Sequence, residues 1–404
     1  MLEALFAPRT PQDLEKWSRQ LQVETISQLN NQQSWAAISK WTATQMTVYR
    51  LLVEPAASIL PAFDQDHRSE CPVCHPSAGN TQRLDDIATA AFIQQSCPLS
   101  LHKSSESDLA CLPHGSFWVA LARACRLQIS PSYAVCSRPT ITNGDRGPFG
   151  GPLAPIRGFL SASRIPRSSD FGLENEDVDE DQPEDQRSWT DEVTVHLMIT
   201  FMQQSLHACL FQDLKTVQEV RARIERTRTT TTVKGTTKLI AEDDGGVRLM
   251  VLRRGSVWTA QDASLALIEA KRTFKVVQDG DESQISSTVA NNMLAQCFRE
   301  AFVAWNAKRE VLGQDVFLII GAGTCIRFMH FRFGSDYAEY IDAPNATAEV
   351  ALLADKNKDT CVHLQSSQWF NLQSRDGRRK ALCHLLALLR WHDSNDATDV
   401  DIDM

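Results

Sequence analysis

Apolar residues recur at helical spacing over the first thirty positions. Leu14, Trp17, Leu21, Ile26 and Leu29 fall roughly on one face, Thr10 stands where an N-cap belongs, and Pro11 occupies the first helical position. The same period predicts helices over 35–52, 83–95 and 116–127, so residues 1–136 read as a smaller α-helical N-terminal domain. From 137 to 188 the period vanishes. Pro, Gly, Ser and Arg dominate as far as Arg167 and an acidic run follows, a composition that buries too little apolar surface to offset the entropy of ordering it. The expectation here is a disordered linker.

Periodicity resumes with an amphipathic helix over 190–213, which carries Val193, Leu197, Phe201, Leu206 and Leu210 on its buried side. The segment bearing Arg221, Arg223, Arg226 and Arg228 reads as a second helical stretch or a turn into a strand. Beyond it the pattern becomes strand-like. β-branched residues around Gly235 predict a hairpin, 229–233 with 236–241. Glu242 to Gly246 reads as a turn and 247–252 as the next strand. Ser264 to Ala270 is almost continuously apolar, as in a central strand covered on both faces. A helix over 287–308, a hairpin pairing 316–320 with 324–333, and a helix over 377–391 complete a domain spanning 189–392, before an acidic tail at 393–404. The expected class is α/β (α+β), with a central mixed sheet flanked by helices.

Charge changes this picture through its distribution. The chain of 404 residues carries −9, but eight acids lie in Glu174–Asp185 and five in Asp393–Met404; without them the remainder carries +4. A mildly basic body admits a nucleic-acid partner without specifying one. No stretch approaches the roughly 18 apolar residues of a membrane span, so no membrane partner is expected. The start, MLEALFAPRTPQDLEKW, shows no basic-then-apolar leader, and eleven cysteines without even spacing fit reduced thiols; both point to an intracellular protein, cytoplasmic or nuclear.

Two weaker signals concern ligands. Cys71-Pro72-Val73-Cys74-His75 has knuckle spacing, with Cys97, His102, Cys111 and His114 downstream. Structural Zn²⁺ needs four ligands and the second pair lacks regular spacing, so Zn²⁺ at Cys71 and Cys74 is a lesser reading than unliganded thiols. Gly321-Ala322-Gly323 has Ile326 where a dinucleotide loop needs its third glycine, and reads as a hairpin turn. Arg253-Arg254, Lys271-Arg272 and Arg378-Arg379-Lys380 are candidates for tracking a phosphate backbone, although such charges more often sit on solvated faces.

The central strands hold the candidate chemistry. An Asp beside one strand and a Glu near the end of the next make a hard-oxygen site suited to Mg²⁺ or Mn²⁺. Within Glu269-Ala270-Lys271, strand alternation puts Glu269 and Lys271 on one face and leaves the Ala270 carbonyl available as a further metal ligand. An ammonium beside the metal positions an attacking water or stabilises charge developing on a phosphate. An isolated Glu-x-Lys is far more often a strand-end ion-pair set. Here it follows a buried apolar run, where unpaired charge is costly.

Through AEDDGG (241–246), ALIEAKR (266–272), VFLIIGAGTCIRFMHFRFG (316–334) and WFNLQSRDGRRKALCHLLALLRWHD (369–393), the chain resembles the PD-(D/E)XK nuclease superfamily. It resembles more closely a group of fungal proteins within or near that superfamily, over about 192–393. The resemblance implies a restriction-endonuclease-like core with Asp244 and Glu269 as metal ligands and Lys271 as the catalytic lysine. It also implies Glu192 as the acid contributed by the first helix, and Gln296 as a glutamine near the site with Glu300 one turn on. No proline precedes Asp244, and Asp243 and Glu242 compete for its role. The function implied is a Mg²⁺- or Mn²⁺-dependent nuclease with DNA the favoured substrate. The alternative is a catalytically inactive nuclease-fold interaction or accessory protein of a fungal gene cluster, meeting protein partners through its N-terminal unit, linker or tail.

Overall fold

The computed structural model describes residues 6–29, 41–65, 71, 91–129, 184–208, 218–235, 237–253, 257–271 and 291–396. The first helix, α1 (Pro11–Leu21), starts at a complete capping box: Asp13 N–H donates to the Thr10 hydroxyl while the Asp13 carboxylate accepts from the Thr10 backbone. Next come α2 (Ala43–Val48), a short strand β1 (Leu51–Val53) and α3 (Gly115–Ile129). The second half opens with α4 (Glu184–Ala208), then β2 (Gln218–Arg223), β3 (Thr227–Val233), β4 (Thr237–Asp243), β5 (Gly245–Arg253) and β6 (Val257–Lys271). Then follow α5 (Asn291–Ala307), β7 (Asp315–Ala322), β8 (Cys325–Phe333), α6 (Tyr337–Asp342), α7 (Ala346–Ala354), β9 (Val362–Ser366), β10 (Phe370–Asn371) and α8 (Arg375–Asp396).

The main sheet has the order β1-β9-β8-β7-β6-β5-β2, with β10 paired to β8. Pairing is mixed: β1 with β9 and β6 with β7 are parallel, the others antiparallel. The pair β3–β4 forms a separate two-stranded ribbon. Strand alternation distributes β7 between two cores. Phe317 and Ile319 join Ala266, Ile268 and Ala270 of β6 against α3, α4 and α8, through Phe117, Leu197, Phe201 and Leu385. Leu318 and Ile320 face the other way, toward Phe298 and Phe302 of α5, Met46 and Val48 of α2, and Val233, Leu239 and Ala241 of the ribbon. Both faces are covered, which explains the nearly unbroken apolar runs of the central strands.

Several elements differ from the sequence expectation. The helix expected over 35–52 is helical only at Ala43–Val48 among its described residues; Arg50 has a φ of 61° and the chain then enters the sheet, Leu51 opposite Val362. Strand pairing to a distant partner overrides the local helical period. The 218–223 segment is a strand, with Val220 and Ala222 packed on the core beside α4 and alternating with Arg221 and Arg223. Glu242 and Asp243 are not turn residues: they end β4, and β5 starts at Gly245. Helix α4 begins inside the span assigned to the linker, and α8 extends into the tail. Residues 137–183 and 397–404, to which the rest of the linker and tail readings refer, lie outside the described residues, as do Cys74 and His75 of the zinc reading. Among the described residues no helix is long and apolar enough to cross a membrane.

Candidate functional site

The acidic corner forms where the ribbon meets the main sheet. Its two glycines permit close backbone approach: a Cβ on Gly245 would lie 2.7 Å from the Arg223 carbonyl oxygen, and one on Gly246 would lie 2.7 Å from that of Ala266. Hence β5 can enter between β2 and β6 directly after Asp244. Gly245 pairs with Ile268, and Asp244 N–H donates to the Ile268 carbonyl at 2.9 Å. One step further along β6, β5 offers no backbone acceptor. The Asp244 side chain takes its place, Oδ2 accepting from Ala270 N–H at 3.1 Å. N–H and C=O of one strand residue lie on the same edge. The Ala270 carbonyl therefore emerges on the Asp244 side of β6.

Asp243 and Asp244 have different surroundings. Asp243 is 6% exposed and its Oδ1 accepts from the buried Arg223 guanidinium at 2.7 Å and from Thr227 N–H at 3.2 Å. Burial nevertheless raises the Asp243 carboxyl above the usual carboxylate value, with Arg223 opposing that rise. Arg223 also donates to the carbonyls of Gly245 and Glu225, which fixes the backbone on both sides of β2's end. Asp244 faces the half-exposed Arg226, 3.2 Å from its Oδ1. Glu242, third of the competing acids, is exposed. The carboxylate at the edge of the Glu-x-Lys strand is thus that of Asp244, while Asp243 is committed to a buried ion pair.

Glu269 is 2% exposed and lies toward α5. Gln296 Nε2 donates to its Oε1 at 2.5 Å and to Glu300 Oε1 at 3.1 Å, so one amide serves two buried carboxylates. The spacing of Gln296 and Glu300 on one helical face produces this sharing. Lys271 ends β6 opposite Ala322; its side chain lies outside the described residues. Glu192 is exposed on α4, whose Val193 and Leu197 pack with Ala270, on the face away from α5; the structure does not bring it to the Glu269 group.

The carboxylates of Asp244 and Glu269 and the Ala270 carbonyl are hard oxygen donors, a chemistry that fits Mg²⁺ or Mn²⁺ and not a soft cation. Asp244 already attracts one positive charge, that of Arg226. Among the described residues no three His, Cys, Asp or Glu side chains cluster closely enough to hold a metal by themselves. Of the zinc candidates, Cys71 is buried, Cys97 half-buried and Cys111 exposed, and the His114 ring pairs with Gln204 at 2.9 Å.

Arg378, a candidate for phosphate tracking, is instead fully buried and donates to the carbonyls of Leu372, Gln373 and Gln95, while Arg379 and Lys380 pair with Asp376. Sequence reasoning missed the roles of Arg223 and Arg226. For Arg223 the available signal was the alternation of Arg221 and Arg223 with Val220 and Ala222, which marks a strand beside the acids; Arg226 lies beyond that strand. No protein-family model and no curated protein matches the sequence.

Proposed function

We propose that this protein is a metal-dependent phosphodiesterase with a restriction-endonuclease-like core, acting on nucleic acid and on DNA in particular. The observation that carries the reading is the Asp244 carboxylate seated on the backbone of Ala270, between Glu269 and Lys271. Asp244, Glu269 and the Ala270 carbonyl would hold a Mg²⁺ or Mn²⁺ ion. When bound, such an ion supplies Lewis-acid stabilisation of the phosphate and lowers the pKa of water.

The chain's own residues have separate tasks. Gln296 donates to one oxygen of Glu269 and so orients that carboxylate. Lys271 positions the water that attacks phosphorus and stabilises the charge that develops there. The P–O bond to the leaving strand breaks, giving a phosphate monoester on one fragment and a hydroxyl on the other. Arg226, half-exposed, moves from Asp244 at little cost and would give way to a cation held there.

A second reading, a non-catalytic interaction protein on the same fold, is favoured by the Arg226–Asp244 pair, in which a guanidinium substitutes for the metal. Incubation of the full chain with labelled DNA and Mn²⁺ separates the two. Under the nuclease reading the DNA is cut and Lys271→Ala reduces the rate by at least about 10²-fold. Absence of cutting together with absence of Mn²⁺ binding by calorimetry, in wild type and in Arg226→Ala alike, would establish the second reading.

A further inference from the structure

The Thr-rich ribbon β3–β4 takes no part in the site chemistry, and its construction points to a second role. Its inner side chains, Thr231, Val233, Leu239 and Ala241, are buried, and the apolar ones pack against the core beside α5. Its outer face carries Arg228, Thr230, Thr232, Lys238, Ile240 and Glu242, with Arg228 opposite Glu242, Thr230 opposite Ile240 and Thr232 opposite Lys238. All but the half-buried Ile240 are exposed. Among the described residues neither Arg228 nor Lys238 makes an ion pair or a side-chain hydrogen bond.

The ribbon is held at three levels. At its foot Arg223 binds Asp243 and Arg226 faces Asp244. In the middle Asn306 donates to the Thr231 hydroxyl at 2.7 Å and Arg299 to the Ile240 carbonyl at 2.7 Å. At the tip Lys234, with a left-handed φ of 54°, pairs with the fully buried Glu349, which also accepts from the Ser27 hydroxyl at 2.7 Å. A surface strand pair fixed this firmly loses little freedom on meeting a ligand. The face it presents offers two uncommitted cations and two hydroxyl donors against one acid, and it leads directly to Asp244.

We infer that the outer face of the ribbon is the track for the phosphodiester backbone of the nucleic acid. Arg228 and Lys238 contact phosphates, and the hydroxyls of Thr230 and Thr232 donate to phosphate oxygens. Solvated β-formers with balanced charge would be the bland account of the same strand pair. It leaves unexplained why the two cations lie on the only outward face, without partners, at the foot of which the acidic corner begins. The inference rests on the nuclease reading for its substrate class and not for its evidence.

Fluorescence anisotropy of the full chain with a labelled DNA duplex, in EDTA so that no cutting occurs, tests it. Binding should fall steeply with salt between about 50 and 200 mM, and Arg228→Ala with Lys238→Ala should shallow the log–log slope by about two and weaken binding about tenfold. Thr230→Glu, which places an anion on the same face, should weaken it similarly. Circular dichroism melts check that each variant is folded, as these exposed positions allow. Unchanged affinity and slope in both folded variants, or no binding by the wild type, overturns the track. Loss of binding in the variants with no cutting by any Mn²⁺-loaded protein supports the track and rejects the nuclease. Cutting that survives both variants unchanged does the reverse.

Discussion

At Asp243 burial and an ion pair pull in opposite directions. Burial favours the protonated carboxyl, Arg223 at 2.7 Å favours the carboxylate, and the balance lies above the ordinary Asp value. The native state then binds this proton more tightly than the unfolded chain does. Between the ordinary value and the raised native one, stability falls as pH rises, and it levels off above. Asp243→Asn removes that step. Urea midpoints of wild type and variant, compared from roughly pH 4 to 7, should therefore show the wild-type advantage shrinking as pH increases; parallel curves would exclude the effect. Removing the other partner is harsher. Arg223→Met leaves a buried carboxylate without its guanidinium and should cost about 3–5 kcal/mol in denaturant unfolding. Gln296 bears a comparable burden, since its amide serves Glu269 and Glu300 together. Gln296→Ala should destabilise by about 1.5–3 kcal/mol and, if the nuclease reading holds, reduce cutting with a shifted pH profile; Gln296→Asn does not restore reach.

The ribbon shows what an element can and cannot disclose through its sequence. Its existence was legible, because Thr229–Val233 and the β-branched residues after Gly235 have few alternatives to a hairpin. So were β5, the apolar half of β6, the hairpin β7–β8 with its Gly323 turn, and the closing helix. Gln296 beside Glu269 was expected only through the family resemblance; the contact itself depends on α5 packing over the end of β6. What local pattern did not reveal depends on distant partners. The strand β1 follows a helical period and exists only because β9 offers an edge. β2 was ambiguous because two arginines occupied the alternating positions. Asp244 was ambiguous among three adjacent acids until the register Gly245 to Ile268 fixed which one meets β6. The tip contact of the ribbon was invisible for the same reason: Lys234, Ser27 and Glu349 are far apart in the chain. Lys234→Ala removes the cation facing a fully buried carboxylate and should lower stability by about 2–4 kcal/mol, read from thermal or urea unfolding.

For the molecule as a whole, residues on both sides of the 137–183 segment share both cores. Met46, Val48, Leu51 and Tyr49 lie with Phe298 and Phe302, while Phe117 and Leu121 lie with Leu197 and Phe201. Tyr337 and Tyr340 hydroxyls donate to the carbonyls of Tyr49 and Val48 at 2.8 Å and 2.7 Å. Expression of residues 189–392 alone should therefore yield a protein without a cooperative unfolding transition, and addition of residues 1–136 in trans should restore one; a sharp transition in the fragment alone would contradict this. The β1–β9 pairing has a consequence for the newborn chain. A ribosome adding about 5–20 residues per second releases Leu51 long before Val362, so for that interval the amino-terminal strand has no edge to join. Its apolar residues have no strand partner during that time, and sheet closure waits for the synthesis of β9.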